Sequence, residues 1–348
     1  MDAQTLPPII AAMRGQPTPH TPVWVMRQAG RYLPEYRAVR AKTDFLTLTR
    51  TAELAAEVTL QPIRRFALDA AILFSDIMTP VEGMGVEIAF NPGPVIAKPI
   101  RTAADIAQLR DLVPERDVPF VMESVRQVRA ELPKHVGLIG FAGAPFTLFC
   151  YLVSGKPSKE FGTARSFVQA EPQLSAQVLD KLADAMIVYL AAQAQAGAQA
   201  LMIFDSWGGL LGRDAFREIA LPPVRKIVAG LKHLGVPIVY FCNNGWTLLD
   251  HVATLDIDVA GLDWRGSIKT ARQILGPKIA VQGNLDPAAL FAAPDVLKSR
   301  VAAVIDDAGP APGHIFNLGH GIWPETDPDQ VGRLVDHVHE YSIKRRSA

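Results

Sequence analysis

Cysteine is almost missing from this chain: Cys150 and Cys242 are the only two in 348 residues, each in or beside an apolar run. A secreted disulfide framework needs a larger, regularly spaced set, so buried reduced thiols and a cytoplasmic location are expected. Long hydrophobic runs are also lacking. The apolar patch from Leu6 to Met13 is short and interrupted by Pro7 and Pro8, which argues against a signal peptide, and no stretch is long enough to span a bilayer. Net charge is absent as well, with 35 Lys and Arg against 35 Asp and Glu. No global field is left to hold nucleic acid or an anionic membrane, so a polyanionic ligand has to be gripped locally. No Gly-x-Gly-x-x-Gly or Walker-type loop offers a nucleotide cradle. Zinc thiolate sites of the His-x-Cys kind are missing too, because Leu148 and Tyr240 stand two residues before the cysteines. Neither a metal nor an organic cofactor is expected.

What is present is alternation. Eight short apolar runs can be picked out: Val23 to Met26, Ala70 to Phe74, Val136 to Phe141, Ala200 to Phe204, Pro237 to Phe241, Val259 to Leu262, Ile279 to Val281 and His314 to Phe316. Between most of them lie stretches with helical i, i+3, i+4 spacing, such as Thr51 to Phe66, Pro172 to Ala196, Arg213 to His233 and Pro328 to Tyr341. Strand and helix in alternation predict a parallel sheet with crossover helices, and continuous apolar strands predict that both sheet faces are covered. Eight strands suit a closed (β/α)8 TIM barrel, although a doubly wound open sheet gives the same pattern. Polar residues follow nearly every run: Arg27 and Gln28, Ser75 and Asp76, Asp205 and Ser206, Asn243 and Asn244, Asp263, Gln282 and Asn284, Asn317 and His320. In a barrel these ends converge on one rim, where such folds keep their sites.

One stretch breaks the alternation. Val86 to Phe90 and Val95 to Lys98 flank Asn91-Pro92-Gly93-Pro94, which predicts a hairpin inserted after the second run. No repeat, low-complexity tract or linker divides residues 1–348, so the whole is read as one domain carrying this small insertion. Lys344 to Ala348 is expected to be a frayed basic tail.

The segment Pro22 to Tyr36 carries the strongest chemical signal. It places Arg27 and Arg31 four residues apart after a Trp-Val-Met run, with Gly30 between them and no acid before Glu35. Guanidinium forks at that spacing suit a ligand with several carboxylates. Asp76 closes the run Ala70 to Phe74, where it is either a helix N-cap before Ile77-Met78-Thr79 or a rim carboxylate that needs a donor partner. Tyr151, Ser206 and His320 are weaker candidates. Each has an ordinary reading as core packing, a turn residue or a loop residue, beside a reading as a hydrogen-bond donor to an anion.

The same segment closely resembles the signature of the uroporphyrinogen decarboxylase family. Further matches follow in order at Phe74-Ser75-Asp76-Ile77, Gly140 to Thr147, Gly261 to Trp264, Gln282 to Pro287 and Asn317 to Gly321. The resemblance implies a (β/α)8 barrel and removal of four acetate carboxylates from uroporphyrinogen, without metal or cofactor, by a homodimer. It implies substrate contacts from Arg27, Gln28, Ala29, Gly30, Arg31, Asp76, Tyr151, Phe204, Ser206 and His320, with Asp76 and Arg27 catalytic. Asp76 would face the pyrrole N–H groups, and Phe204 would form an apolar wall. One departure stands after Tyr151, where Ser154-Gly155-Lys156-Pro157-Ser158 replaces the family's usual Glu and glycine-rich turn, predicting a stiffer and more basic loop. Two rivals remain at this level. Corrinoid-linked methyltransferases share the pattern but need a zinc thiolate, and a tetrapyrrole carrier would keep the arginines without needing Asp76.

Overall fold

The computed structural model describes residues 6–90 and 93–347. Seven strands form one parallel sheet: β1 (Ala70–Ile72), β4 (Gly137–Gly143), β5 (Ala200–Asp205), β6 (Ile238–Cys242), β7 (Val259–Gly261), β8 (Ala280–Gln282) and β9 (His314–Ile315), hydrogen-bonded in that order. Each lies within one residue or two of an apolar run in the sequence. The longer strands β4 and β6 are buried at every position, as expected where helices cover the outer face and side chains fill the inner one. Two further strands, β2 (Ile88–Phe90) and β3 (Pro94–Ile96), pair antiparallel with Ile88 opposite Ile96. They are the inserted hairpin; Asn91 and Pro92 at its turn lie outside the described residues.

The eighth run does not form a strand. Val23 makes a single parallel bridge to Phe316, and the seam between β9 and β1 is completed on its two sides by different means. Phe316 N–H donates to the Pro22 carbonyl at 2.8 Å, and Asp69 N–H donates to the Val23 carbonyl at 2.9 Å. Trp24 N–H also donates to the Phe316 carbonyl at 3.3 Å, and side chains supply the rest of the ladder. Asp69 Oδ2 accepts the Val23 N–H at 2.8 Å, Asn317 Oδ1 accepts the Met26 N–H at 3.0 Å, and the buried Gln28 amide accepts from Val25 N–H and donates to the Ala70 carbonyl. Inside the barrel the Trp24 indole donates to Gln282 Oε1 at 2.9 Å. Side-chain substitution for main-chain pairing is necessary here because the chain turns sharply at Arg27, whose φ is +66°, so no regular strand can continue past Met26.

A second hydrophobic cluster lies beneath this seam. It joins Val23, Val25, Phe316 and Leu318 to Val331, Leu334, Val335 and Val338 of the last helix, Pro328–Arg346. That helix takes in most of the segment expected to be a frayed tail. Arg346 is held by Thr18 and Thr21, which contradicts fraying at that position, and Ala348 lies outside the described residues. The long helix Pro172–Ala196 starts and ends where its periodicity predicts, whereas Arg213 to His233 is divided by a π-helical stretch at Phe216–Ala220.

Gln28→Leu keeps the side-chain volume but leaves the Val25 N–H unpaired in the core and removes a donor from the Ala70 carbonyl. It is expected to lower unfolding stability by about 2–4 kcal/mol, read from the midpoint of a urea transition with an unchanged slope.

Candidate active site

The mouth of the barrel lies beyond the C-terminal ends of the strands, and the polar residues gathered there fall into two groups. The first group is spent on holding loops. Asp205, fully buried at the end of β5, accepts from Thr147 Oγ1 at 2.7 Å, from Tyr240 Oη at 2.7 Å and from Gly208 N–H at 3.0 Å. Burial raises its pKa, and these donors oppose the rise. Asp263, after β7, accepts from Asn244 N–H, the Trp246 indole and Arg265 N–H at 2.7, 2.7 and 2.9 Å. Asn284 donates to the Asp263 and Gly266 carbonyls, while Asn317 and Gln28 serve the seam. These are struts. A strand end rich in polar residues therefore overstates the number available to a ligand.

The second group has no such employment. Among the described residues, the side chains of Arg27, Arg31, Ser206 and His320 make no hydrogen bond. Asp76 uses one oxygen, Oδ1, to accept the Met78 N–H at 2.8 Å, and its other oxygen takes no donor. The cap reading and the site reading of Asp76 are thus compatible, one for each oxygen. The backbone N–H groups from Ala29 to Arg31 are likewise not taken up by the protein, which makes that turn a nest for an anion. Gln28 differs from its neighbours, because its side chain is buried with both amide atoms committed.

Arg27 is aimed by its left-handed backbone, and its side chain lies along Gly321. A Cβ at position 321 would come within 2.5 Å of Arg27 Cδ, so the glycine beside His320 is what lets the guanidinium cross to that loop. Solvent reaches Arg27 through the mouth, yet protein walls it on most sides. This desolvation lowers its pKa; Tyr151 and Asp76 oppose the shift, and Arg31 adds to it. Burial also raises Asp76 to about 6, with Glu82 adding and the Met78 N–H and Arg27 opposing. His320 is pushed down to about 4, chiefly by burial and then by Arg27 and Arg265, so it is neutral at pH 7.

Tyr151, on the helix Pro145–Ser154 that follows β4, is half-buried. Its pKa is raised by burial above all. Asp76 adds to the rise, whereas Arg27 and the nearby Trp207 N–H pull against it. That indole N–H is buried, lies outside hydrogen-bond geometry and has no partner. Phe204 belongs to an aromatic row across three adjacent strands, with ring centroids 5.7 Å from Phe141 and 6.2 Å from Phe241. Phe241 in turn meets His320 at 6.4 Å. The expected wall is therefore three rings wide. Phe141, Phe241, Trp207 and Arg265 had not been singled out; the last stacks on Trp264 at 3.9 Å. The cation in Asp263-Trp264-Arg265, directly after β7, was the available signal for it. A cavity of about 570 Å³ is lined by Trp264, Asn284, Asp286 and Arg300 among others, and its lining includes none of Arg27, Asp76, Tyr151 and His320.

The altered loop after Tyr151 is docked rather than free. The Gly155 carbonyl accepts the Ile96 N–H of β3 at 2.7 Å, and Pro157 packs at Gly93 in the same hairpin. The hairpin reaches back to the rim through Phe90, Phe45 and Phe74.

A family model described as uroporphyrinogen decarboxylase matches residues 5–341. The chain belongs to that family. Curated relatives bearing the name uroporphyrinogen decarboxylase include one from Syntrophotalea carbinolica, 51% identical over 330 residues, covering 95% of this chain and 96% of the relative. Another from Geobacter metallireducens is 50% identical, covering 95% and 97%. Among solved structures, a methyltransferase from Methanosarcina mazei aligns with a TM-score of 0.77 at 22% identity, over 97% of this chain and 98% of its own. A putative vitamin-B12 independent methionine synthase from Listeria monocytogenes aligns at 0.58 with 13% identity, over 93% and 96%. These two likenesses show the shared barrel. The zinc thiolate expected of the methyltransferase rival has no counterpart in the cysteines, which are buried and pushed well up by desolvation. Among the described residues no potential metal cluster includes either one.

Asp76→Asn retains an oxygen for the Met78 N–H and removes a charge that the fold disfavours. Because the folded pKa lies above the ordinary value near 4, the penalty is complete above about pH 6 and vanishes below about pH 4, where both states carry the proton. The variant is expected to be more stable than the parent at pH 7 by roughly 1–3 kcal/mol. Urea unfolding at pH 7 and at pH 3.5 checks this, with the difference closing at the lower pH.

Proposed function

We propose that the chain, working as one domain over its length, is a carboxy-lyase that removes the four acetate carboxylates of uroporphyrinogen III to give coproporphyrinogen III and CO2, in porphyrin and haem biosynthesis. The observation that carries this is the partner-free set at the mouth. Two guanidiniums, a free N–H nest, a neutral imidazole and a serine complement carboxylates, while one carboxylate oxygen without a donor complements pyrrole N–H groups and a row of three aromatic rings complements an apolar macrocycle. Arg27, Arg31, the Ala29–Gly30 backbone, Ser206, Tyr151 and His320 hold the acid side chains, and Gln28 acts by fixing the turn. Phe204 supplies the apolar face.

Decarboxylation leaves an electron pair on the CH2 carbon, and a neutral pyrrole is a poor acceptor for it. Protonation of a ring carbon first makes an iminium-like cation. The bond to the carboxylate then breaks, its electrons form an exocyclic C=C and neutralise the ring, and CO2 departs. A second proton adds at the CH2 carbon and the ring proton is returned, so each CO2 consumes one proton. Asp76 stabilises the cation from a water-poor setting where its charge is felt strongly. Burial and Arg31 move Arg27 towards proton release, whereas Tyr151 is moved away from it. Arg27 and Tyr151 both stand at the mouth as candidate donors, either directly or through water.

Asp76→Asn is expected to bind substrate and lose turnover by about 2–4 orders of magnitude, whereas Arg31→Ala is expected to raise KM more than it lowers kcat. Anaerobic steady-state assays separate these outcomes. The oxidised, planar uroporphyrin presents nitrogen lone pairs to Asp76 and is expected to inhibit weakly without being converted; comparable turnover of both forms would remove the role given to Asp76. Because the sink is the substrate's own ring, turnover is expected to survive exhaustive chelation.

The cytoplasm is the proposed location, in keeping with reduced thiols; among the described residues no helix is long and apolar enough to cross a membrane. A homodimer is also proposed. It is supported by an exposed aromatic pair, Phe291 and Trp323, 49% and 46% accessible with rings 5.4 Å apart, an arrangement suited to burial against another molecule. Trp323→Glu is expected to shift the sedimentation coefficient towards that of a monomer.

A further inference from the structure

The N-terminal end of the barrel, remote from the mouth, holds a second group of ligating side chains. Asp69 immediately precedes β1, His20 precedes the seam, and His339 projects from the last helix. Asp69 Oδ1 lies 2.7 Å from His20 Nε2, and Oδ2 lies 2.8 Å from His339 Nε2. One atom from each residue falls within 4.8 Å of the others. The two imidazoles approach with centroids 4.2 Å apart and planes inclined by 59°, and each presents Nε2 to a different oxygen of the same carboxylate. The His side chains are about a fifth exposed and that of Asp69 is 5% exposed, which gives an ion access to a largely enclosed carboxylate.

We propose that His20, Asp69 and His339 form a site for one divalent transition-metal ion, of the zinc or cobalt kind, that locks the barrel seam. Two imidazole nitrogens and one carboxylate oxygen are a borderline donor set, which selects such ions over magnesium or calcium. Bonds of about 2.0–2.2 Å from three ligands set the donor atoms roughly 3.3 Å apart, so the three donor atoms, which already lie within 4.8 Å of one another, converge on one ion by side-chain adjustment. Each Nε2 then offers a lone pair while Nδ1 carries the ring hydrogen. Water completes the coordination from the open side.

The consequence is mechanical. The three ligands come from the segment before the closing bridge, from the start of β1 and from the C-terminal helix, and Asp69 Oδ2 also accepts the Val23 N–H that closes the ring. An ion here joins three distant parts of the chain at the point where main-chain pairing is sparsest. Arg346, bonded to Thr18 and Thr21 on either side of His20, is the cationic neighbour on the last helix. The site bears on stability and leaves the chemistry at the mouth untouched.

The test uses the intact protein, stripped with chelator and titrated with zinc or cobalt chloride. One ion per chain is expected, with the thermal midpoint raised by roughly 3–6 °C at a hundredfold excess over Kd. Cobalt is expected to give visible d–d bands without the intense near-ultraviolet band of a thiolate. His20→Asn and His339→Gln keep a donor for Asp69, so each is expected to fold and to decarboxylate at the parental rate, while binding cobalt at least tenfold more weakly and losing the thermal shift. Absence of a shift with the parent protein, a shift retained in both variants, or a thiolate band would each overturn the site.

Discussion

A single carboxylate, Asp69, sets the conditions for the rest of the molecule. A (β/α)8 barrel works by bringing eight strand ends to one rim, and here one of the eight segments pairs through its main chain at only a few atoms. Asp69 holds Val23 from one side while Phe316 holds it from the other, with His20 and His339 flanking the carboxylate. These hydrogen bonds keep its pKa below the ordinary range in spite of burial. Arg27 follows this segment by four residues. If the seam slips, the guanidinium moves off Gly321 and away from the loop that carries His320.

The irregularity of that segment and the function of the mouth have a common cause. A regular strand through Met26 and Arg27 would point successive side chains to opposite faces, and Arg27 would then lie in the sheet instead of across the opening. Ending the strand frees main-chain groups of Val25 and Met26, and buried groups of that kind need partners. Gln28 and Asn317 provide them, and the N–H groups from Ala29 to Arg31 are left over for a ligand.

The protein does not itself relieve the electrostatics of the mouth. Asp76 is held above its ordinary range and Arg27 and His320 below theirs, in each case chiefly through desolvation by the surrounding protein, although Arg27 keeps an exposed side towards the mouth. A polycarboxylate that also carries N–H donors answers both kinds of penalty at once: its anions compensate Arg27 and its donors compensate Asp76. A flat apolar ring or a simple dicarboxylate answers only one. Stability spent in this way is a common property of sites that bind charge in a dry setting.

Sequence by itself determined the periodic skeleton. Strand and helix content follow from runs of apolar residues whose spacing is local, so seven of eight runs became strands, the inserted hairpin appeared, and the helix Pro172–Ala196 matched at both ends. The residues of the mouth were legible because their types suit carboxylates and because they match a family's motifs in order. What only the tertiary structure decided was which polar residues are available. Asp205, Asp263, Asn284 and Gln28 read from sequence exactly like Asp76 and Ser206, since hydrogen-bond donors from other strands and loops, such as Tyr240, Asn244 and Thr147, are what consume them. The approach of His20 to His339 across more than three hundred residues is of the same kind. Local spacing records which groups exist, whereas three-dimensional packing alone records which of them already have partners.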